Sequence, residues 1–173
     1  MLGLEEGVAR YTCSLDLQLR QIASIGFPIR KEIIAMKVQD IMSANPACCS
    51  PTSTVQEAAR LMADCDCGEI PVVDANGKPL GVITDRDIAC RIVAQGKESD
   101  TPVQEAMTTP AITVSPDDSV EDCCRTMVDK QIRRVPVVDR NGSCCGMVAQ
   151  ADLATRSSSQ VAGELVREVS AAH

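Results

Sequence analysis

Aromatic side chains are almost missing from this chain, which has one Tyr, one Phe and no Trp in 173 residues. The core must therefore be built from Val, Ile, Leu, Met, Ala and Cys, each large aliphatic side chain contributing roughly 1.5–3 kcal/mol when fully buried. Histidine is reduced to the terminal His173. No internal imidazole can then serve as general base to a Cys or Ser nucleophile. GxGxxG and P-loop glycine patterns are absent as well, and no enzymatic activity is expected. Basic charge is scarce: a formal net charge of −7 argues against a general nucleic-acid binder, because phosphate affinity needs clustered Lys and Arg. No apolar run approaches the roughly 18 residues of a membrane-spanning helix, and the start lacks the basic, apolar and small-residue regions of a secretion signal. A cytoplasmic protein that neither enters a membrane nor binds nucleic acid is expected.

What the chain does have is a repeat. IPVVDANGKPLGVITDRD at 70–87 returns as VPVVDRNGSCCGMVAQAD at 135–152. At the same spacing VQDIM (38–42) matches VQEAM (103–107), and STVQEAARLM (53–62) matches DSVEDCCRTM (118–127). Two homologous units in tandem account for most of the length. Each reads as a short strand (47–49; 112–114), a Ser-Pro break, a helix, two apolar strands (70–73 and 80–83; 135–138 and 145–148) and a last helix. Thr54 with Glu57 three residues on makes a capping box, and Asp118 or Ser119 caps the matching helix. The first of these helices is expected to bury Val55, Ala58, Ala59 and Met62, with Leu61 beside them, and to stop at Gly68. Asn76-Gly77 and Asn141-Gly142 supply positive-φ positions for tight hairpin turns. The second helix of the first unit is expected over 85–95, and its counterpart begins near Gln150. The fold class is α/β (α+β), with units at 36–97 and 98–159 and a tail at 160–173 that includes a short helix at 161–169.

Residues 1–35 match neither unit. They are read either as a natural N-terminal arm or as sequence upstream of the true start at Met36, since Lys31-Glu32 can be encoded by a ribosome-binding sequence.

Ten cysteines suggest a disulfide framework, but the absence of a secretion signal argues for free thiols. Three adjacent pairs stand where the other unit has small or apolar residues: Cys48-Cys49 for Thr113-Val114, Cys123-Cys124 for Ala58-Ala59, and Cys144-Cys145 for Pro79-Leu80. They read as buried core thiols. Cys65 and Cys67, flanked by Asp64 and Asp66, are the candidates for a metal or redox role, though no paired C-x-x-C or histidine supports a zinc site.

The tandem β-α-β-β-α pattern, with PVVD, NG and G-h-h-T-x-x-D in order, resembles the CBS (cystathionine β-synthase) domain over 36–159, in particular small stand-alone bacterial CBS-pair proteins. The resemblance implies a pseudo-twofold module, a homodimer, and two clefts that bind adenine nucleotides such as AMP or ATP, or adenosyl ligands. It implies a regulator of a partner protein, with no catalytic cofactor. Carried over to this chain, the first cleft joins Ile83, Thr84 and Asp87 to Ile112, Thr113, Arg133, Arg134, Val135 and Pro136. Asp87 would bind ribose hydroxyls and the two arginines a phosphate. The bland alternative is that Thr84 and Asp87 only cap a helix. The second cleft joins Asp152 to Cys48, Glu69, Ile70 and Pro71; it lacks a hydroxyl at Ala149, and one competent site per chain is expected. A cysteine-based metal or redox sensor and a ligand-free interaction module are the rival readings.

Overall fold

Two antiparallel hairpins carry the fold, and each is closed by an aspartate rather than by its Asn-Gly pair. The structure, a computed structural model, describes residues 36–156, all within one unit, Ile33–His173. Strand β2 (Glu69–Val73) pairs with β3 (Pro79–Thr84), and β4 (Arg134–Val138) pairs with β5 (Cys144–Ala149). Between β2 and β3, Asp74 Oδ1 accepts from the N–H groups of Asn76 and Lys78 at 2.8 and 2.9 Å, and Asp74 N–H donates to Lys78 O. Asp139 repeats these bonds with Asn141 and Ser143. Within the two turns only the glycines take positive φ, 76° at Gly77 and 81° at Gly142. The turns are therefore longer than the two-residue Asn-Gly form expected, because the aspartate side chain satisfies the loop amides that a tight turn would leave out.

The expected strands at 47–49 and 112–114 shrink to single bridging residues. Cys49 pairs parallel with Val72, and Val114 parallel with Val137. Pro71 and Pro136 in the facing strands have no N–H to extend a ladder, and Ser50-Pro51 and Ser115-Pro116 end it on the other side. A strand the sequence did not disclose, β1 (Ser43–Ala44), pairs with Met147 and Gly146 of β5.

That pairing reveals how the units are joined. Helix α1 (Val38–Ile41) opens the first repeat in sequence, yet Val38 and Ile41 pack in the second unit's core with Val120, Met127, Val135 and Val148. Val103 and Ala106, which open the second repeat, pack in the first unit's core with Val55, Met62, Ile70 and Ile83. The leading segments are exchanged, so the expected boundary near residue 97 separates repeats in sequence but not cores in space. Both exchanges are held by backbone bonds: Val38 N–H to Asp118 O and Val120 N–H to Met36 O on one side, Val55 N–H to Thr101 O and Val103 N–H to Ser53 O on the other. Two glycines make room. A Cβ on Gly81 would lie 2.5 Å from Thr108 O, and one on Gly146 2.5 Å from Met42 Sδ, so each β3 or β5 strand needs a bare backbone where the other repeat's leader crosses it.

Helix α2 (Val55–Asp64) has the expected capping box, with Thr54 Oγ1 accepting from Glu57 N–H and Glu57 returning to Thr54 N–H. It ends at Asp64, short of Gly68, because Asp66 takes a left-handed φ of 49°. It buries Val55, Ala58 and Met62, while Ala59, expected inside, faces out. The helical run after β3 starts as α3 (Asp85–Asp87), widens to a π-helix over Ile88–Ile92 and closes as 3-10 over Val93–Gln95. Gly96, with φ 65°, stops it as expected. Helix α4 (Val120–Lys130) is capped by Ser119, and α5 (Gln150–Arg156) follows β5. The expectations for residues 1–35 and 161–169 lie outside the described residues, and among those described no helix is long and apolar enough to cross a membrane.

Candidate functional site

Strand β3 delivers Thr84 to the first turn of α3, and there Thr84 and Asp87 hold one another. Thr84 N–H and Oγ1 both donate to Asp87 Oδ2, at 3.0 and 2.7 Å, and Asp87 N–H returns to Thr84 Oγ1 at 3.0 Å. Arg91, one turn on, sits 3.2 Å from Asp87 Oδ1 and also donates to Ala106 O at 2.5 Å and Thr108 Oγ1 at 3.1 Å. The helix-capping role is thus realised. The same bonds fix the carboxylate, 12% exposed, and tie it to the segment that crosses from the second repeat.

Glu69 lies opposite Thr84 in the β2–β3 register. Burial pushes its carboxyl up to about 7, against the pull of Arg134 and with the help of Asp87 and Asp85. Its Oε1 is buried without a hydrogen-bond partner and is the only side-chain N or O atom so placed among the described residues. Buried polar oxygens are ordinarily paired, so this one marks a place where a donor is wanted. Arg134 completes the cluster: its Nη1 lies 3.5 Å from where a Gly68 Cβ would be, beside Asp85. The sequence reading assigned Glu69 to the opposite cleft. The structure puts it with Thr84, because strand pairing carries it there and Arg134 comes to meet it.

Other expected residues are dispersed. Ile83 and Ile70 are fully buried in the first core and Val135 in the second, and Pro71 is fully buried too. Pro136 is buried, and its carbonyl accepts Val114 N–H. Ile112 is half-buried and Thr113 exposed. Their segment runs along β3 from Val82, which bridges Thr108, toward Leu80, whose carbonyl accepts Ala111 N–H. They therefore follow at the end of β3 away from Thr84. Arg133 is exposed and its carbonyl accepts Gln150 N–H. In the second repeat, Asp152 Oδ2 accepts Ala149 N–H at 2.8 Å, the backbone half of the Thr84–Asp87 arrangement without the hydroxyl half.

Cys65 is exposed and Cys67 is half-buried against the first core, and no group of three His, Cys, Asp or Glu side chains among the described residues is placed to hold a metal. Cys123 and Cys49 are buried as expected, their thiols pushed up to about 12 and about 11 chiefly by burial. Sequence reasoning missed Arg91, whose signal was its helical spacing from Asp87.

The CBS domain family matches residues 38–94 and 103–159. CBS domain-containing protein YhcV of Bacillus subtilis is 44% identical over 77% of this chain and 94% of its own length. The CBS domain pair of protein MJ0100, solved with 5′-methylthioadenosine and S-adenosyl-L-methionine, is 32% identical with a TM-score of 0.64, over 69% of this chain and 98% of that one. Hypoxic Response Protein I, solved with two coordinated zinc ions, is 30% identical with a TM-score of 0.65, over 70% of this chain and 98% of that one.

Proposed function

The chain belongs to the CBS-domain family, and from that membership we propose that it is a regulatory module that binds an adenine nucleotide or adenosyl ligand beside Thr84 and Asp87. The observation that carries the reading is the unpartnered, buried Glu69 Oε1 next to Asp87 and facing Arg134. A ligand hydroxyl or amino group supplies the missing donor. Asp87, already oriented by Thr84 and Arg91, accepts from a ribose hydroxyl, each such charge-assisted bond being worth about 1.5–3 kcal/mol. Arg134 and the exposed Arg133 offer guanidinium groups to an anionic tail. From Thr84 to the Leu80 end of β3 is roughly 13 Å at the usual rise per residue, a length along which an extended nucleotide can lie to reach Ile112 and Thr113. The second cleft, with Ala149 in place of the hydroxyl, binds more weakly or not at all.

The protein works in the cytoplasm as a homodimer and acts on a partner through the geometry its ligand selects rather than by catalysis. A ligand shifts such an equilibrium only by its differential affinity for the two states. Thermal unfolding of the full chain against AMP, ADP, ATP, NAD, 5′-methylthioadenosine and S-adenosylmethionine tests the reading. Ligand at a hundredfold over its dissociation constant adds about 2.7 kcal/mol to stability. Indifference to all six would leave a ligand-free interaction module.

A further inference from the structure

The leader of the second repeat is held on the first core at its start, at its end and once between. At its start Val103 N–H donates to Ser53 O at 2.8 Å and Gln104 N–H to Pro51 O at 3.0 Å. At its end Thr108 and Val82 exchange both backbone bonds, at 2.8 and 3.0 Å. Between them stands Ala106, 1% exposed, and the donor to its carbonyl among the described residues is a side chain, Arg91 Nη1 at 2.5 Å. The same nitrogen donates to Thr108 Oγ1 at 3.1 Å. Arg91 belongs to the π-helical turn Ile88–Ile92, a wide turn of a kind that recurs at functional sites.

Nη1 carries two hydrogens, and its hydrogen bonds go to the leader. Asp87 Oδ1, 3.2 Å away, meets the charge of the guanidinium but accepts no hydrogen bond from any described residue, whereas Oδ2 takes two from Thr84. The carboxylate oxygen left open to a ligand hydroxyl is thus the one beside Arg91.

We propose that Arg91 is a positioning residue that couples the ligand site to the exchanged leader, so that a ligand hydroxyl on Asp87 tightens residues 106–108 of the second repeat onto the core of the first. The inference rests on the adenosyl-ligand reading given above. A hydroxyl that donates to Oδ1 fixes the second oxygen as Thr84 has fixed the first. The carboxylate can then no longer turn from the guanidinium, and the guanidinium, held from one side, keeps its two bonds on Ala106 O and Thr108 Oγ1. The coupling is reciprocal: whatever frees the leader weakens the ligand by the same factor.

The test follows hydrogen exchange at the Thr108 and Val82 amides of the full chain by NMR, with and without saturating AMP, ATP or S-adenosylmethionine. Arg91→Ala and Thr108→Val are run beside the parent, with thermal unfolding as the check that each is folded. Rates are taken relative to the Val72 amide of the same core, which cancels the general gain in stability from binding. The expected result is that a probe slows Thr108 and Val82 of the parent by at least about fivefold, the low end for coupled sites. Arg91→Ala should still bind at higher probe concentration but lose the slowing, and Thr108→Val, which cuts a single bond to the leader, should fall between. A merely structural arginine would speed exchange with and without probe alike and leave the ratio untouched. A probe that binds the parent without slowing those amides, or that slows them equally in Arg91→Ala, would overturn the coupling and leave the ligand reading standing. Binding of none of the three to the parent would overturn both.

Discussion

Glu69 and Arg134 occupy the same position of the two repeats, and the Arg134 guanidinium lies near enough to Glu69 to pull its carboxyl down against the upward push of burial. Identical repeats would set two carboxylates or two guanidinium groups against each other there. Divergence has made the pair complementary, and it has left one carboxylate oxygen buried and unpaired.

That arrangement makes stability pH-dependent. Glu69 has its folded pKa raised from 4.5 to about 7, so its contribution is fully present below pH 4.5 and is lost as pH rises through 7. The loss amounts to roughly 3 kcal/mol at alkaline pH. Glu69→Gln should therefore be the more stable protein at pH 8 and should flatten its stability curve between those values. Chemical denaturation across pH measures this; equal slopes for parent and variant would refute it.

Asp87→Ala should weaken binding of the preferred adenosyl ligand about ten- to hundredfold, from the loss of one or two charge-assisted bonds. Calorimetric titration reads the change. Asp152→Ala, at the matching place in the second repeat, should change the same constant by less than twofold, an estimate of about 0.4 kcal/mol.

Gly81→Ala should disturb the first unit out of proportion to one methyl group, because its Cβ would meet the Thr108 backbone rather than a side chain that can swing away. Overpacking of this kind costs about 1–3 kcal/mol. Gly146→Ala, whose nearest obstacle is the flexible Met42 side chain, should cost less. The order of the two melting temperatures checks the claim.

Met127→Ala empties a fully buried position in the second core and should destabilise by about 2–5 kcal/mol. Because Val38 of the first repeat's leader packs in that core, hydrogen exchange at Val38 and Ile41 should accelerate with it. Unchanged protection of those amides would mean the leader is held by its backbone bonds alone.

Much of this fold could be read from residue pattern. The repeat, the capping box of Thr54 and Glu57, the hairpin strands and the stop at Gly96 all follow from local rules. What escaped was non-local. Nothing in VQDIM or VQEAM says which of two similar cores will take it, so the exchange of leaders was invisible. The Asp74 and Asp139 side chains reshaped turns that an Asn-Gly pair alone predicts differently. At the site, Thr84 and Asp87 were legible because a short motif carries them. The meeting of Glu69 with Arg134 was not, because it depends on how two homologous surfaces pack.

The exchanged leaders also bear on what counts as the heritable unit. A single repeat cut out at residue 97 would carry a leader that fits a core it no longer has, and a core missing the leader that covers it. Two such halves could regain their cover only by trading leaders with each other, as separate chains. Duplication followed by fusion would have made that trade permanent and freed one position, Arg134 against Glu69, to change sign.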